Sequence, residues 1–499
     1  MTGRSALLLG IDVGTSSSKA VLLDMHGRVV GAASAPHSVR SRNRGWAESG
    51  PADWWTSVGQ AVRSTLESSA SGSAAANSVV AVGLSGQMHG AVLADADGNP
   101  VRPAILWADE RAEAHLDHYR ALDAAQTECL GNPLVAGMTG PILCWLKEFE
   151  PVSYRRATWV LQSKDWLRFR LTGEVGTDHT DASATLLYDL GCSCWADDVI
   201  AELDLRRALM PPIRSSDERA GKLTPDAGNA LGLPAGIVVS YGAGDVAAAL
   251  VGTRLSEPGA VQLTVGTGAQ IVTLRQAALA DEALRYHVFA AATGGYYALA
   301  AVQAAGLAFE WAWKGLGCDW PSAYEALTAS SAGANGISFV PHVAGARSPS
   351  MNPRATGAFC GVHLSSGRSD LVRSVFEGVA FSILDAARAL PEYERVSEIR
   401  LSGGGSLDPR WRQLLADTLE RTLVVLPAAD ASAHGAAVLG SLAAGLGVPQ
   451  DEELSRERLD VIYPRRTPAL KLAYSRWADR SAALAEREPI EAAALEERV

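Results

Sequence analysis

Short apolar runs punctuated by glycine recur along the chain. "ALLLGIDVGTSSSKAVLLD" (residues 6–24) sets two such runs around Gly14-Thr15, and "RVVGAAS" follows a second turn, which predicts a meander of three strands. The same plan returns in "GAVQLTVGTGAQIVTL" (259–274): strand, Gly266-Thr267 turn, strand. "PADWWTSVGQAVRSTLES" (51–68) instead spaces its apolar residues at a helical period behind a proline, and predicts an amphipathic helix. "VVAVGLSG" (79–86) reads as a buried strand that runs into Gln87-Met88-His89-Gly90. "VVSYGAGDVAAALVG" (238–252) predicts a strand, a glycine turn and a helix of small residues with Asp245 as its N-cap. In "IRLSGGGSLDPRWRQLLADTL" (399–419) a strand ends in Gly403-Gly404-Gly405, and Asp408-Pro409 opens a helix. Strands interleaved with helices predict α/β layers with mixed sheets. The Gly/Pro punctuation of "ALGLPAGIVVS" (230–240) sets a boundary near 235, giving domains 1–235 and 236–499.

Composition narrows the partners. A chain of 499 residues, 47% hydrophobic, has ample material for two large cores, and its net charge of -11 argues against nucleic acid. A small-molecule substrate is the better expectation. The six cysteines are scattered, which predicts ordinary reduced thiols rather than a disulfide framework. "ALLLGI" is too short for a signal peptide and meets Asp12. The longest uncharged stretch, Val288 to Phe309, is broken by "TGGYY" and holds Gln303, so it predicts two strands and a helix, not a membrane span. A cytoplasmic protein without membrane contact is expected.

Asp245 stands out chemically, because a carboxylate among Gly, Ala and Val is poorly solvated and needs a partner or a role. The two Gly-Thr turns are the second signal. Glycine admits positive φ and close ligand approach, while free amides and the threonine hydroxyl offer donors to phosphate oxygens. Two copies, one in each half, resemble two jaws on one polyphosphate. "GAGDVA" (242–247) fits a dinucleotide-binding turn, but the next strand, "AVQLTVGTG", holds no acidic residue for a ribose. Neither a P-loop string nor an H-R-D kinase loop is present. His115 and His118 lie three apart with no third ligand, and predict a solvated helix face.

With these pieces in place the chain resembles the FGGY family of carbohydrate kinases, and within it the xylulokinases. The matching strings include "GIDVGTSSSKAVLLD", "GWAESGPADWW", "VGLSGQMHGAVLADADGNPVRPAILWADER", "SKDWLRFRLTGE", "DHTDASAT", "GAGDVAA", "NPRATGAFCG" and "LSGGGSLDPRWRQLLAD". The resemblance implies an α/β fold of two actin-like ATPase domains, each with a ribonuclease-H-like core, around a central cleft. It implies ATP-dependent phosphorylation of a sugar hydroxyl, with D-xylulose to D-xylulose 5-phosphate the leading reaction. Another ketopentose, a polyol, a short keto-sugar, or a weakly catalytic sugar or nucleotide sensor are the alternatives. Asp245 falls on the family's catalytic aspartate, with an ordinary low pKa expected, and Asp12 on a catalytic aspartate that holds Mg²⁺ directly or through water. Gln87, Met88 and His89 join Asp245 around the sugar. Gly14, Thr15, Ser16, Gly266, Thr267, Gly306, Gly403 and Gly404 fall to ATP. Lys19 reads as an outward strand lysine. A homodimer is compatible with the family. Two positions depart from the xylulokinase pattern: Val246 where Asn is usual, and Ala346, beside Arg347, where Glu is usual. Both put the identity of the sugar in question.

Overall fold

The computed structural model describes residues 6–69, 72–427, 430–449 and 458–496. Its frame is a pair of seven-stranded mixed sheets. The first contains β1 (Leu7–Val13), β2 (Ser17–Asp24), β3 (Val29–Pro36), β4 (Val79–Gly86), β5 (Arg219–Lys222), β6 (Val238–Ser240) and β7 (Ala243–Gly244). The second contains β8 (Val261–Val265), β9 (Ala269–Arg275), β10 (His287–Ala290), β11 (Tyr296–Val302), β12 (Glu398–Ser402), β13 (Thr422–Val425) and β14 (Asp460–Ile462).

The two sheets share one plan. In the first, the order β3-β2-β1-β4-β6 runs antiparallel across the meander and parallel from β1 onward. In the second, β11-β9-β8-β12-β13 repeats that pattern of directions. The repeat read from the two Gly-Thr turns is therefore a repeat of whole sheets. Each turn joins the central strand to its antiparallel neighbour, and in each the first glycine amide closes the turn: Gly14 N to Ser17 O at 3.0 Å, Gly266 N to Gly268 O at 2.8 Å. Neither Gly14 nor Gly266 adopts a positive φ, contrary to expectation. At Gly266 a side chain would meet nothing closer than 3.9 Å, so this position leaves open space beside the backbone.

Helix α1 (Pro51–Ser68) covers the first sheet with Trp54, Val58, Ala61, Val62 and Leu66, the inward face of its 3.6-residue period. The Val and Leu side chains among them, fully buried, contribute about 1.5–3 kcal/mol each. Further helices are α2 (Ser163–Thr172), α3 (Asp245–Gly252), α4 (Gly306–Leu316), α5 (Arg368–Arg388), α6 (Pro409–Leu419) and α7 (Ala431–Ala443).

The chain changes sheets later than position 235. β6 and β7 both pair in parallel with β4, so the first sheet takes strands up to Gly244, and the crossover falls between α3 and β8. Asp245 thus opens the last helix of the first half. α7, from the second half, packs against β1, β4 and α3. Gly10 and Gly83 face the α7 backbone at Ala433 and Ala436, and Gly435 faces that of α3 at Ala248, with no room for any side chain. Small residues let these backbones approach, and the halves meet along a smooth seam.

Three expectations change here. Cys192 and Cys194 form a disulfide, because Ser193 (φ 55°) turns the chain between the paired strands Tyr188–Asp189 and Cys194–Trp195 and brings the thiols together. The other cysteines are free. His115 is buried rather than solvated: its ring packs on Phe149 and its Nε2 lies 3.0 Å from Glu148. Lys19 is not simply outward, since its Nζ reaches Asp430 at 2.7 Å, at the head of α7. Among the described residues no helix is long and apolar enough to cross a membrane.

Candidate active site

Parallel neighbours β1 and β4 end side by side, which brings their last residues and the segments beyond into one place. Asp12 sits on β1 opposite Ser85 on β4 and Lys19 on β2. Its carboxylate is 7% exposed and accepts a hydrogen bond from Ser85 Oγ at 2.9 Å. Burial raises the Asp12 carboxyl above its ordinary value, against the Ser85 bond and the Lys19 charge.

Asp245 lies close enough to Asp12 for their charges to repel. Burial, then Asp12, pushes its carboxyl from 3.8 up to about 7. The expected low value is thus corrected: two carboxylates share a poorly solvated site. The N-cap reading is corrected too. Gly244 is the N-cap, Asp245 is the first helical residue, and its Oδ1 accepts from the Val246 amide at 2.7 Å.

The Gln87-Met88-His89 segment lines the same place. Gln87 Nε2 donates to Gly14 O at 3.1 Å, so the side chain braces the first Gly-Thr turn. Met88 is buried between Gly244 and Tyr297, whose hydroxyl is 3.6 Å from its sulfur. His89 has a left-handed backbone, φ 78°, rare for a residue with a side chain. Its carbonyl accepts from Thr139 Oγ1 at 2.6 Å, and its ring packs 5.6 Å from Phe289. Strain of this kind is held only where the surroundings over-determine it, and it gathers at functional sites. His89 Nδ1 lies 2.9 Å from Ala184 O. Burial is the main cause that lowers the imidazole to about 4, so it is neutral near pH 7, with the other nitrogen available to a ligand.

Thr15 Oγ1 accepts from Trp107 Nε1 at 3.0 Å, and Ser16 O accepts from the His37 amide. Across the molecule, Gly266, Thr267, Gly306, Gly403 and Gly404 form a second group at the ends of β8 and β12. Gly306 opens α4 with its amide on Gly266 O, and a Cβ there would stand 2.6 Å from that oxygen. Gly403, at φ 96°, passes against Val265 and lines a cavity of about 400 Å³ together with Ser406, Arg412, Leu426 and Asp460. Gly404 has open space beside it.

A buried ionic cluster behind Asp245 carried no assigned role in the sequence. Lys164 Nζ lies 2.7 Å from Asp165, 2.9 Å from Asp178 and 3.0 Å from Asp181, all with no side-chain exposure. Arg168 adds a second cation at 2.6 Å from Asp165. Three carboxyls face two cations, and burial drives the Asp181 carboxyl far above its ordinary value, against the charge of Lys164. Asp178 accepts from Thr180 Oγ1 at 2.7 Å, and Thr180 Oγ1 accepts from the Gly244 amide at 2.8 Å. The cluster therefore fixes the turn that carries Asp245. Its strings, "SKDWLRFRLTGE" and "DHTDASAT", were visible, but nothing in their spacing revealed that they meet.

The arrangement has the means for phosphoryl transfer: a carboxyl poised near neutral pH, a second carboxylate beside it, and glycine-lined backbone for phosphates. Residues 7–252 match the N-terminal domain, and residues 261–444 the C-terminal domain, of the FGGY family of carbohydrate kinases. A xylulose kinase of Escherichia coli K12 is 32% identical over 442 residues, covering 88% of this chain and 90% of its own. The crystal structure of a "xyloylose kinase" from Brucella ovis superposes with TM-score 0.87 at 30% identity, over 96% of this chain and 99% of its own. A gluconate kinase from Lactobacillus acidophilus, 23% identical, shares the fold with TM-score 0.88 over 97% of this chain and 99% of its own. The seven-stranded pair of sheets is the two-domain, actin-like arrangement of these enzymes, and the chain belongs to the FGGY family of carbohydrate kinases.

Proposed function

We propose that the protein transfers the γ-phosphoryl group of ATP to a terminal hydroxyl of a small acyclic sugar, with D-xylulose, giving D-xylulose 5-phosphate, as the first acceptor to test. The observation that carries this reading is Asp245, held at a helix start by Gly244 and Thr180 with its carboxyl near 7. In the reaction the substrate hydroxyl oxygen forms a bond to the γ-phosphorus and the bond to the β,γ-bridging oxygen breaks. The hydroxyl proton passes to Asp245, and ADP leaves. A base whose pKa lies near the working pH suits that transfer, while positioning supplies most of the rate.

Met88 and His89 would flank the acceptor, and Gln87 would act through the first turn. Gly14, Thr15 and Ser16 would meet phosphate from one side, and Gly266, Thr267 and Gly306 from the other, with the adenosine toward Gly403 and Gly404. The two mutually repelling carboxylates fit a dication: Asp12 would hold Mg²⁺, directly or through water, with Asp245 nearby. When bound, Mg²⁺ would offset the charge of the phosphates and carboxylates.

The test is ADP release with Mg·ATP across D-xylulose, L-xylulose, D-ribulose, L-ribulose, D-arabinitol, xylitol, erythrulose and glycerol. Preference for D-xylulose is expected, and Asp245→Asn should lower kcat at least roughly 100-fold. Wild-type turnover in that variant would remove the base assignment. Preference for another acceptor would locate the change of specificity at Val246 and Ala346.

A further inference from the structure

A cavity of about 430 Å³ lies between the halves, within the roughly 300–1,000 Å³ of small-molecule pockets. The first half supplies His179, Tyr188, Ser193 and the 215–217 segment, and the second half supplies the turn from Ala290 to Tyr296. Tyr296 opens β11, whereas Val302 closes it and leads to Gly306 beside Gly266. The cavity is therefore about 20 Å, one strand length, from the second Gly-Thr turn. Tyr188 and Ser216 are buried, while Ser193 and Thr293 stand at an exposed rim. There Ser193 Oγ lies 3.2 Å from Tyr296 Oη, so the two halves touch.

The lining points to one kind of ligand. Asp217 is half-buried in the wall, and its carboxylate makes no hydrogen bond or ion pair among the described residues. The adjacent Arg214 faces Glu218 instead, at 4.0 Å. His179 Nδ1 lies 2.8 Å from Tyr188 Oη, which leaves the other ring nitrogen without a partner, and the Ser215 hydroxyl has none either. A carboxylate only accepts, so Asp217 calls for a ligand that brings donors. Among the described residues no lysine or arginine lines the cavity, so phosphates and carboxylic acids lack their usual partners. Hydroxyls both donate and accept, and match the serines, the imidazole and the carboxylate together. Ala290, Ala291, Ala292 and the tyrosine rings add apolar surface. A sugar ring has hydroxyls at its edge and C–H groups on its faces, and it loses less rotational freedom on binding than a linear polyol.

We infer that this cavity is a second ligand site, which binds an uncharged sugar in its ring form as an effector and not as a phosphoryl acceptor. The Asp217 carboxylate accepts from ring hydroxyls, with Ser215 and His179 beside it. The wall of the cavity is tied to the turn that carries Asp245. Ser216 Oγ donates to Asp178 at 2.6 Å, and the Gly242 amide donates to Ser216 O at 2.9 Å. A ligand that holds the 215–217 segment thus pre-organises that turn, and the acceptor then binds at lower cost. By linkage the acceptor tightens the ring sugar by the same factor. The site itself stands apart from the kinase reading above, and only its coupling to the acceptor rests on it.

The probes are methyl β-D-xylopyranoside and methyl α-D-glucopyranoside, whose rings cannot open, with D-mannitol as the linear control and choline as the cationic one. Calorimetry measures the binding of each to the full chain, with and without D-xylulose, and ADP release with Mg·ATP measures turnover. At least one glycoside should bind more tightly than mannitol or choline, and D-xylulose should tighten it roughly fivefold or more. Asp217→Leu should weaken that binding roughly tenfold or more while turnover without glycoside is unchanged. Thr293→Trp, which fills the cavity from its rim, should do the same. Binding of neither glycoside, or of choline in preference to both, would overturn the inference. Glycoside binding that survives both substitutions would overturn it as well, since the ligand then sits elsewhere. Binding lost in both variants but indifferent to D-xylulose would defeat the effector role. Glycoside binding that depends on Asp217, with no turnover of any acceptor, would uphold the site and defeat the kinase reading.

Discussion

Replacing Asp245 by Asn should make the protein more stable while it lowers kcat at least roughly 100-fold. Raising a carboxyl from 3.8 to about 7 on folding corresponds to roughly 4 kcal/mol of destabilisation wherever the group is ionised in both states. Water in the cleft reaches the half-buried side chain, so about 2–4 kcal/mol is the expected range. The sign follows from proton uptake. Below 3.8 the folded and unfolded chains both hold the proton, and no cost is felt. Between 3.8 and about 7 only the folded chain holds it, so stability falls as pH rises through this window. Above 7 the cost is complete. Asn has nearly the same shape and no charge, so it removes the cost. Asp12, whose carboxyl burial also raises, keeps that cost in both proteins, so it cancels from the comparison. Urea unfolding without nucleotide or divalent cation should show a small gap between variant and wild type at pH 5 and the full gap at pH 8. A variant no more stable than wild type at pH 8, or a gap that is constant from pH 5 to 8, would refute the argument that the two carboxylates repel in a desolvated site.

The remaining predictions test the supports of the site. Gly306→Ala puts a methyl 2.6 Å from Gly266 O, so it should raise KM for ATP several-fold with the sugar KM little changed; steady-state kinetics against each substrate checks this. Lys164→Met leaves buried carboxyls without their cation and should cost about 3–5 kcal/mol, seen as a large drop in the unfolding midpoint. Thr180→Val removes the acceptor of the Gly244 amide and the donor to Asp178, and should lower kcat more than it raises the sugar KM, because it frees the turn that carries Asp245. The His89 ring should stay neutral from pH 8 down to pH 5, with protonation only near 4; a carbon-labelled histidine whose shift titrates near 6.5 would contradict its burial.

Much of this was legible from local pattern. The meander from Leu7 to Pro36, α1, the second Gly-Thr hairpin and the Gly403 turn into α6 all lie where apolar period and turn residues predict them. These features are set by interactions within a few residues. Asp245 was also marked by its sequence, because a lone charge in an apolar run has few inexpensive explanations, whereas Asp12 was marked by the family resemblance. Where two distant segments had to meet, the reading failed. The N-cap was placed one residue late, since a cap depends on backbone angles that composition does not encode. The boundary near 235 followed Gly/Pro punctuation, whereas β6 and β7 pair with β4 from far upstream.

The amino-acid sequence alone determined the elements, the paired Gly-Thr turns and Asp245 as a candidate carboxylate, because each is written in nearest-neighbour chemistry. Only the tertiary structure decided the electrostatics. It buried Asp12 and Asp245 and so raised both carboxyls, with the charge of Asp12 adding to the rise at Asp245, and it set Lys164 among three aspartates. Charge energies depend on distance and on the water that burial removes, and both are properties of the folded chain.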